Sequence, residues 1–150
     1  MTLSIIKFLH LLCGLSFFGI VIASFFYIAS SLYKRDKSLI DYSIRASYFG
    51  DGIIFLCGSI VFVSAQILVR AGHFSMSIPW IFVAFHAFSL LLVLWFFNLV
   101  VKAFYLSKKS IPFYSLCIYY FLNLSMLLIF IIIIHDAVMQ STGFDFLFRK

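Results

Sequence analysis

Residues 3–32 read LSIIKFLHLLCGLSFFGIVIASFFYIASSL, and this stretch decides the fold. It holds one charged side chain, Lys7, and one imidazole, His10, in an otherwise apolar or small-residue run. A helix of about 20 apolar residues crosses a bilayer. The run is therefore long enough to span with a tilt, or with its first turn in the headgroup layer. It is too long for the ~7–15-residue apolar segment of a cleaved leader. Ala29 and Ser31 imitate a cleavage site poorly, and the run ends in Tyr33-Lys34-Arg35. A retained first span is the expectation.

Working outward, residues 47–70, 79–105 and 112–138 form three more apolar runs. Of the 150 residues, 65% are hydrophobic and 11% charged, and the mean hydropathy is +1.16. A water-soluble domain of this size exposes too much surface to hide so much apolar area. Lipid must be the solvent for most side chains. The connections are too short for a separate soluble domain, so the sequence predicts one all-α unit, an integral membrane four-helix bundle. The first connection, residues 33–46, contains a stretch (38–48) that suits a short interfacial helix, with Leu39, Ile40, Tyr42 and Ile44 as apolar contacts. In the second, Gly72 suits a helix end, Pro79 a helix start with Ser77 as cap, and Trp80 the membrane interface. The tail carries Phe144, Phe146 and Phe148, an alternation that suits a segment lying on the membrane surface.

The net charge is +6, but basic residues cluster at the ends of apolar runs rather than on one water-facing patch. That is the pattern of topology signals and lipid headgroup contacts, not of nucleic-acid binding. Connections 33–46 and 106–111, with the adjoining span ends, carry Lys34, Arg35, Lys37, Arg45, Lys102, Lys108 and Lys109. The other side has Lys7, Arg70, Arg149 and Lys150. The excess places the first group in the cytoplasm and both termini outside. Lys102 is expected to snorkel to the cytoplasmic surface.

Three histidines fall at one depth. His10 lies shortly after the start of span 1, His86 seven residues after Pro79, and His135 shortly before span 4 leaves the membrane. With antiparallel spans, a rise of ~1.5 Å per residue puts them roughly 5–12 Å below the same surface. Ionisable groups in hydrocarbon are costly and are commonly functional. Neutral imidazoles from facing helices suit haem iron, so the expected site is a haem held by His10 and either His86 or His135. Gly14, one turn from His10, leaves room for a flat ligand. In span 2, Asp51, Gly58, Phe62, Gln66 and Arg70 follow helical spacing and should face the bundle. Gln66 and Arg70 reach the histidine layer, where Arg70 suits a propionate. A metal ion on the same histidines is the next option, and His10 with Cys13 has the imidazole–thiolate chemistry of copper. In the other half, Asp51 and Lys102 suit an ion pair near the interface, and Asn123 suits a hydrogen bond between helices. The three cysteines form no C-x-x-C, and no dinucleotide, phosphate-loop, zinc-protease or nucleophile-elbow motif is present.

The opening Lys7-Phe8-Leu9-His10 resembles the K-x-L-H start of two groups of small bacterial membrane proteins. One is the HemJ-type protoporphyrinogen oxidases. The other is a family of predicted integral membrane proteins with no assigned activity, to which Asp51 and the segment from Gly72 to Pro79-Trp80 are also similar. The first resemblance implies a haem-b-associated four-helix protein that oxidises protoporphyrinogen, with His10 as its helix-1 histidine. HemJ-type proteins carry a W-x-H-x-K-like segment in span 3, whereas Trp80-Ile81-Phe82-Val83-Ala84 has neither His nor Lys. They end the last span in Lys-Pro, where this chain has His135-Asp136. The family without assigned activity is thus the better match. The resemblance points to a bacterial inner membrane. Besides a haem-binding redox protein, the sequence supports a non-catalytic accessory subunit of a larger membrane (respiratory) complex, its 21 phenylalanines as contact surface. A third reading is a metal or small-solute transport component, which would homo-oligomerise to enclose a path.

Overall fold

In the computed structural model, which describes residues 2–108 and 113–139, four helices follow one another: α1 (Thr2–Lys34), α2 (Lys37–Ala71), α3 (Pro79–Lys108) and α4 (Phe113–Met139). Each is long and apolar enough to cross a membrane. The all-α four-helix bundle read from the sequence is the fold. At 27–35 residues and ~1.5 Å per residue, the helices run about 40–52 Å, longer than the ~30 Å hydrocarbon layer. They tilt or project beyond it. The tail beyond Met139, with its phenylalanines, and Lys109 lie outside the described residues.

The first connection is much shorter than the sequence reading made it. Instead of a loop over 33–46 with an interfacial helix, α2 begins at Lys37, leaving only Arg35 and Asp36 between two long helices. Arg35 adopts a left-handed backbone (φ 52°). Asp36 caps α2, its carboxylate accepting from the Ser38 amide (2.8 Å), the Leu39 amide (3.4 Å) and the Ser38 hydroxyl (2.7 Å). These hydrogen bonds to the charged form, the Ser38 hydroxyl foremost, hold the Asp36 carboxyl below its ordinary value. Beyond the turn, the Ser31 and Ser43 hydroxyls meet at 2.7 Å across α1 and α2, and Arg45 pairs with Asp41 on one exposed face of α2.

Helix α1 packs along α2 and α3 along α4. The contact between α1 and α4 closes one side of the bundle, and α2 and α3 touch only lightly. Between helices in lipid the driving force is packing rather than water exclusion, and the seams are correspondingly tight. Phe17 meets Phe130 and Phe88 edge-on, with centroids 5.0 and 6.1 Å apart. Cys13, Val21, Ile54, Cys57, Leu91 and Met126 complete a dry central layer. A Cβ on Gly58 would lie 3.3 Å from the Phe17 ring, so a side chain there presses on that ring. A second apolar layer, Ile28, Ile40, Ile44, Leu116 and Tyr119, sits at the Arg35–Asp36 end. Phe8, Phe49 and Phe97 point outward, where acyl chains are their solvent. Outward and inward serines alike return their hydroxyl to the carbonyl one turn back, as Ser16 does to Leu12 and Ser59 to Phe55.

Candidate functional site

Two spaces lie along the side where α2 and α3 barely meet. The first is a cavity of about 350 Å³ at the end of the bundle holding the α2–α3 connection. Its polar groups are His10 and Lys7 from α1 and Gln66 from α2. Its walls are apolar, with rings from Phe62, Phe85, Phe88 and Trp80, and Ile133 and Ala137 of α4 at the back. The connection folds over it: the α2 C-cap Gly72 donates to Leu68 O, and His73, not Gly72, takes the left-handed turn (φ 55°). A Cβ on Gly72 would come within 2.7 Å of the Phe74 ring, which lines the cavity and would have to shift. Helix α3 starts at Pro79, so Ile78 rather than Ser77 holds the cap position, and its carbonyl accepts from Phe82 N.

His10 is oriented by Ser64, 2.9 Å from its Nδ1. The Ser64 hydroxyl has one proton and two nearby carbonyls, Ile60 O at 2.6 Å and Val61 O at 3.1 Å. With that proton on a carbonyl, Ser64 would accept from His10 Nδ1–H and leave Nε2 its lone pair; with the proton on His10 Nδ1 the roles reverse. In the first arrangement the imidazole is prepared to coordinate or accept through Nε2.

The other sequence-predicted residues are placed differently. His86 is exposed on the lipid side of α3, its Nδ1 donating to Phe82 O of its own helix at 2.8 Å, and it does not line the cavity. His135, 53% exposed, holds Asp136 Oδ1 at 3.0 Å and also lies off the cavity wall. Asp136 itself is 1% exposed, with Oδ2 unpartnered. Equal depth did not mean a shared direction: helical phase turns His86 and His135 away from His10. Among the described residues no group of three or more His, Cys, Asp or Glu side chains is placed to hold a metal ion. Gly14 has nothing within 4 Å of a would-be Cβ and is not in the cavity wall. Gln66 is, but Arg70, one turn on, is exposed and outside it. Asn123 donates to Tyr119 O within its own helix rather than across helices.

The second space is a groove of about 960 Å³ between α2 and α3 in the other half of the bundle, lined by Arg45, Tyr48, Phe49, Asp51, Phe55, Trp95 and Phe96 among others. Lys102 does not snorkel. It is 3% exposed and gives Nζ to both oxygens of Asp51 (4% exposed) at 2.9 Å. Because α2 starts early, Asp51 lies about four turns into the helix rather than at its membrane entry. Trp95 Nε1 donates to Asp51 Oδ1 at 3.0 Å, and the Tyr119 ring faces the ammonium with its centroid 5.6 Å from Nζ. Tyr119 and Ser47 join hydroxyls at 2.7 Å. Asn98, 0% exposed and one turn before Lys102, has neither its amide nitrogen nor its oxygen engaged. The spacing 95, 98, 102 on α3 is a one-face pattern that would have found this cluster.

No protein-family model, no curated protein and no solved structure matches the chain.

Proposed function

We propose that this is an inner-membrane protein that binds a lipid-soluble, redox-active ring compound in the His10 cavity, with haem as the leading ligand and His10 Nε2 as its one protein ligand to iron. The observation carrying this reading is the Ser64-fixed imidazole at the wall of an aromatic-lined cavity. A pair of histidines on one iron does not fit the residues present, because His86 and His135 lie off the cavity wall. A single proximal histidine does fit, as in many haem proteins. Lys7 is the cationic group at the cavity for a propionate, in place of Arg70. When bound, haem supplies one-electron chemistry; the chain's own residues orient the imidazole, bury the ring face and exclude water. The charge pattern supports cytoplasmic placement of the Arg35–Asp36 turn and external termini.

A quinone is the second reading. It is favoured by a volume at the lower end of the ~300–1,000 Å³ usual for bound small molecules, and by the Gln66 carboxamide, whose NH₂ can donate to a carbonyl oxygen. The test is purification from native membranes, followed by an absorption spectrum and solvent extraction of bound compounds. A Soret band present in wild type, His86→Ala and His135→Ala but lost in His10→Ala supports haem on one imidazole. Co-extracted quinone without a Soret band moves the assignment to the second reading. A colourless protein that co-purifies only with a larger assembly contradicts both and favours an accessory subunit.

A further inference from the structure

The α2–α3 groove differs from an ordinary lipid-facing furrow in what lies at its base. Asp51 and Trp95 line it, whereas Lys102 reaches the carboxylate from inside the bundle and does not. A molecule entering from the groove therefore meets the acidic member of the ion pair first. The walls it passes are aromatic: Tyr48, Phe49, Phe55, Trp95 and Phe96, with Phe55 and Trp95 stacked at a 6.3 Å centroid distance. A carboxylate among π faces is the recognition chemistry of an organic cation. Arg45 at the rim is held by Asp41 at 2.9 Å, so its charge is already matched.

We propose that the α2–α3 groove binds a lipophilic organic cation, which takes the place of the Lys102 ammonium on Asp51. Two positive charges on one buried carboxylate are costly, so arrival of the cation expels the Lys102 proton. The balance is Cat⁺ plus the Asp51⁻·Lys102-NH₃⁺ pair giving Cat⁺·Asp51⁻, neutral Lys102-NH₂ and one H⁺ released. No redox step is involved. Asn98 supplies the missing partner for the displaced amine. Helix side chains lean toward the N-terminus, which tilts Lys102 over Asn98, whose buried amide has no other bond. The otherwise unexplained orphan is thus the second resting place of Lys102. Other groups facing the pair are the Tyr119 ring from α4 and the Trp95 indole from α3. On α1, residues 17–24, which run past this level where Ile20 meets Gly50, include no ionisable side chain.

The test uses the full chain in lipid nanodiscs with Trp80→Phe, leaving Trp95 as the sole indole, and tetraphenylphosphonium as the probe. Saturable quenching of Trp95 is expected. The affinity should rise about tenfold per pH unit between pH 6 and 8, the signature of one proton released on binding. Asp51→Glu should keep binding, and Asp51→Asn should weaken it at least about tenfold. Phe96→Ala, on the lipid-exposed wall, leaves the ion pair intact and should weaken binding severalfold, so the proposal stands or falls even where Asp51→Asn does not fold. Equal binding of neutral triphenylphosphine oxide would make the groove an acyl-chain slot and overturn the proposal. Binding that is independent of pH, or unchanged in Phe96→Ala, would overturn it as well.

Discussion

A carboxylate and an ammonium taken out of water together are tolerated because each satisfies the other. Asp51 receives three donors, two contacts from Lys102 and one from the Trp95 indole. Truncating one member leaves a buried, unmatched charge, so Asp51→Ala or Lys102→Ala should each lose ~3–5 kcal/mol. The double replacement Asp51→Leu/Lys102→Met should lose much less. Thermal unfolding in one detergent checks both, and equal losses for single and double variants would remove the pair from this role. The pairing was half legible in the sequence. The charges were visible, but Lys102 lies near a predicted span end, where a long side chain usually reaches the headgroups; only the Trp95–Asn98–Lys102 face signals that it turns inward. At His10, Ser64→Ala removes the hydroxyl that fixes the imidazole. If the cavity ligand is haem, as proposed, it should then dissociate about 10–100-fold more readily, read from its loss on dilution.

At the scale of helices, span count and antiparallel order were legible because apolar length alone sets them. The boundaries were less so. The charges from Lys34 to Arg45 read as a loop, yet α1 runs to Lys34 and α2, capped by Asp36, carries Lys37, Asp41 and Arg45 within its first turns. The Asp36 carboxyl is held below its ordinary value, so its contribution is complete above the unfolded-state value near pH ~3.9. It is lost as pH falls through the lower folded value. Protection of the Ser38 and Leu39 amides, relative to their intrinsic exchange rates, should therefore fall below about pH 4, and Asp36→Ala should show the same loss of protection at neutral pH. If exchange there is unaffected by either change, the cap is not what starts α2. Helix seams can be tested by a pair of glycines. Gly58→Leu forces bulk against Phe17 and Leu92 and should destabilise by roughly 1–3 kcal/mol. Gly14→Leu, with nothing within 4 Å, should be near neutral. Similar thermal shifts for both would contradict the packing.

Over the whole molecule, a dry layer built on Phe17, Phe88 and Phe130 separates the His10 cavity from the Asp51 groove. Both spaces are lined by α2 and α3, which touch only lightly, in opposite halves of the bundle. Helical rise gives the three histidines one level in the sequence reading, but whether they converge depends on the rotation of each helix about its axis, which packing sets. Of the three, His10 alone lies on the cavity wall. Iron with a single protein ligand leaves a coordination position open, whereas two histidines would fill it. The decisive measurement is the reduced spectrum of the purified protein before and after carbon monoxide. A single His10 ligand gives a Soret band that shifts on adding the gas and is missing in His10→Ala; a band that ignores carbon monoxide, or one that survives His10→Ala, would rule it out.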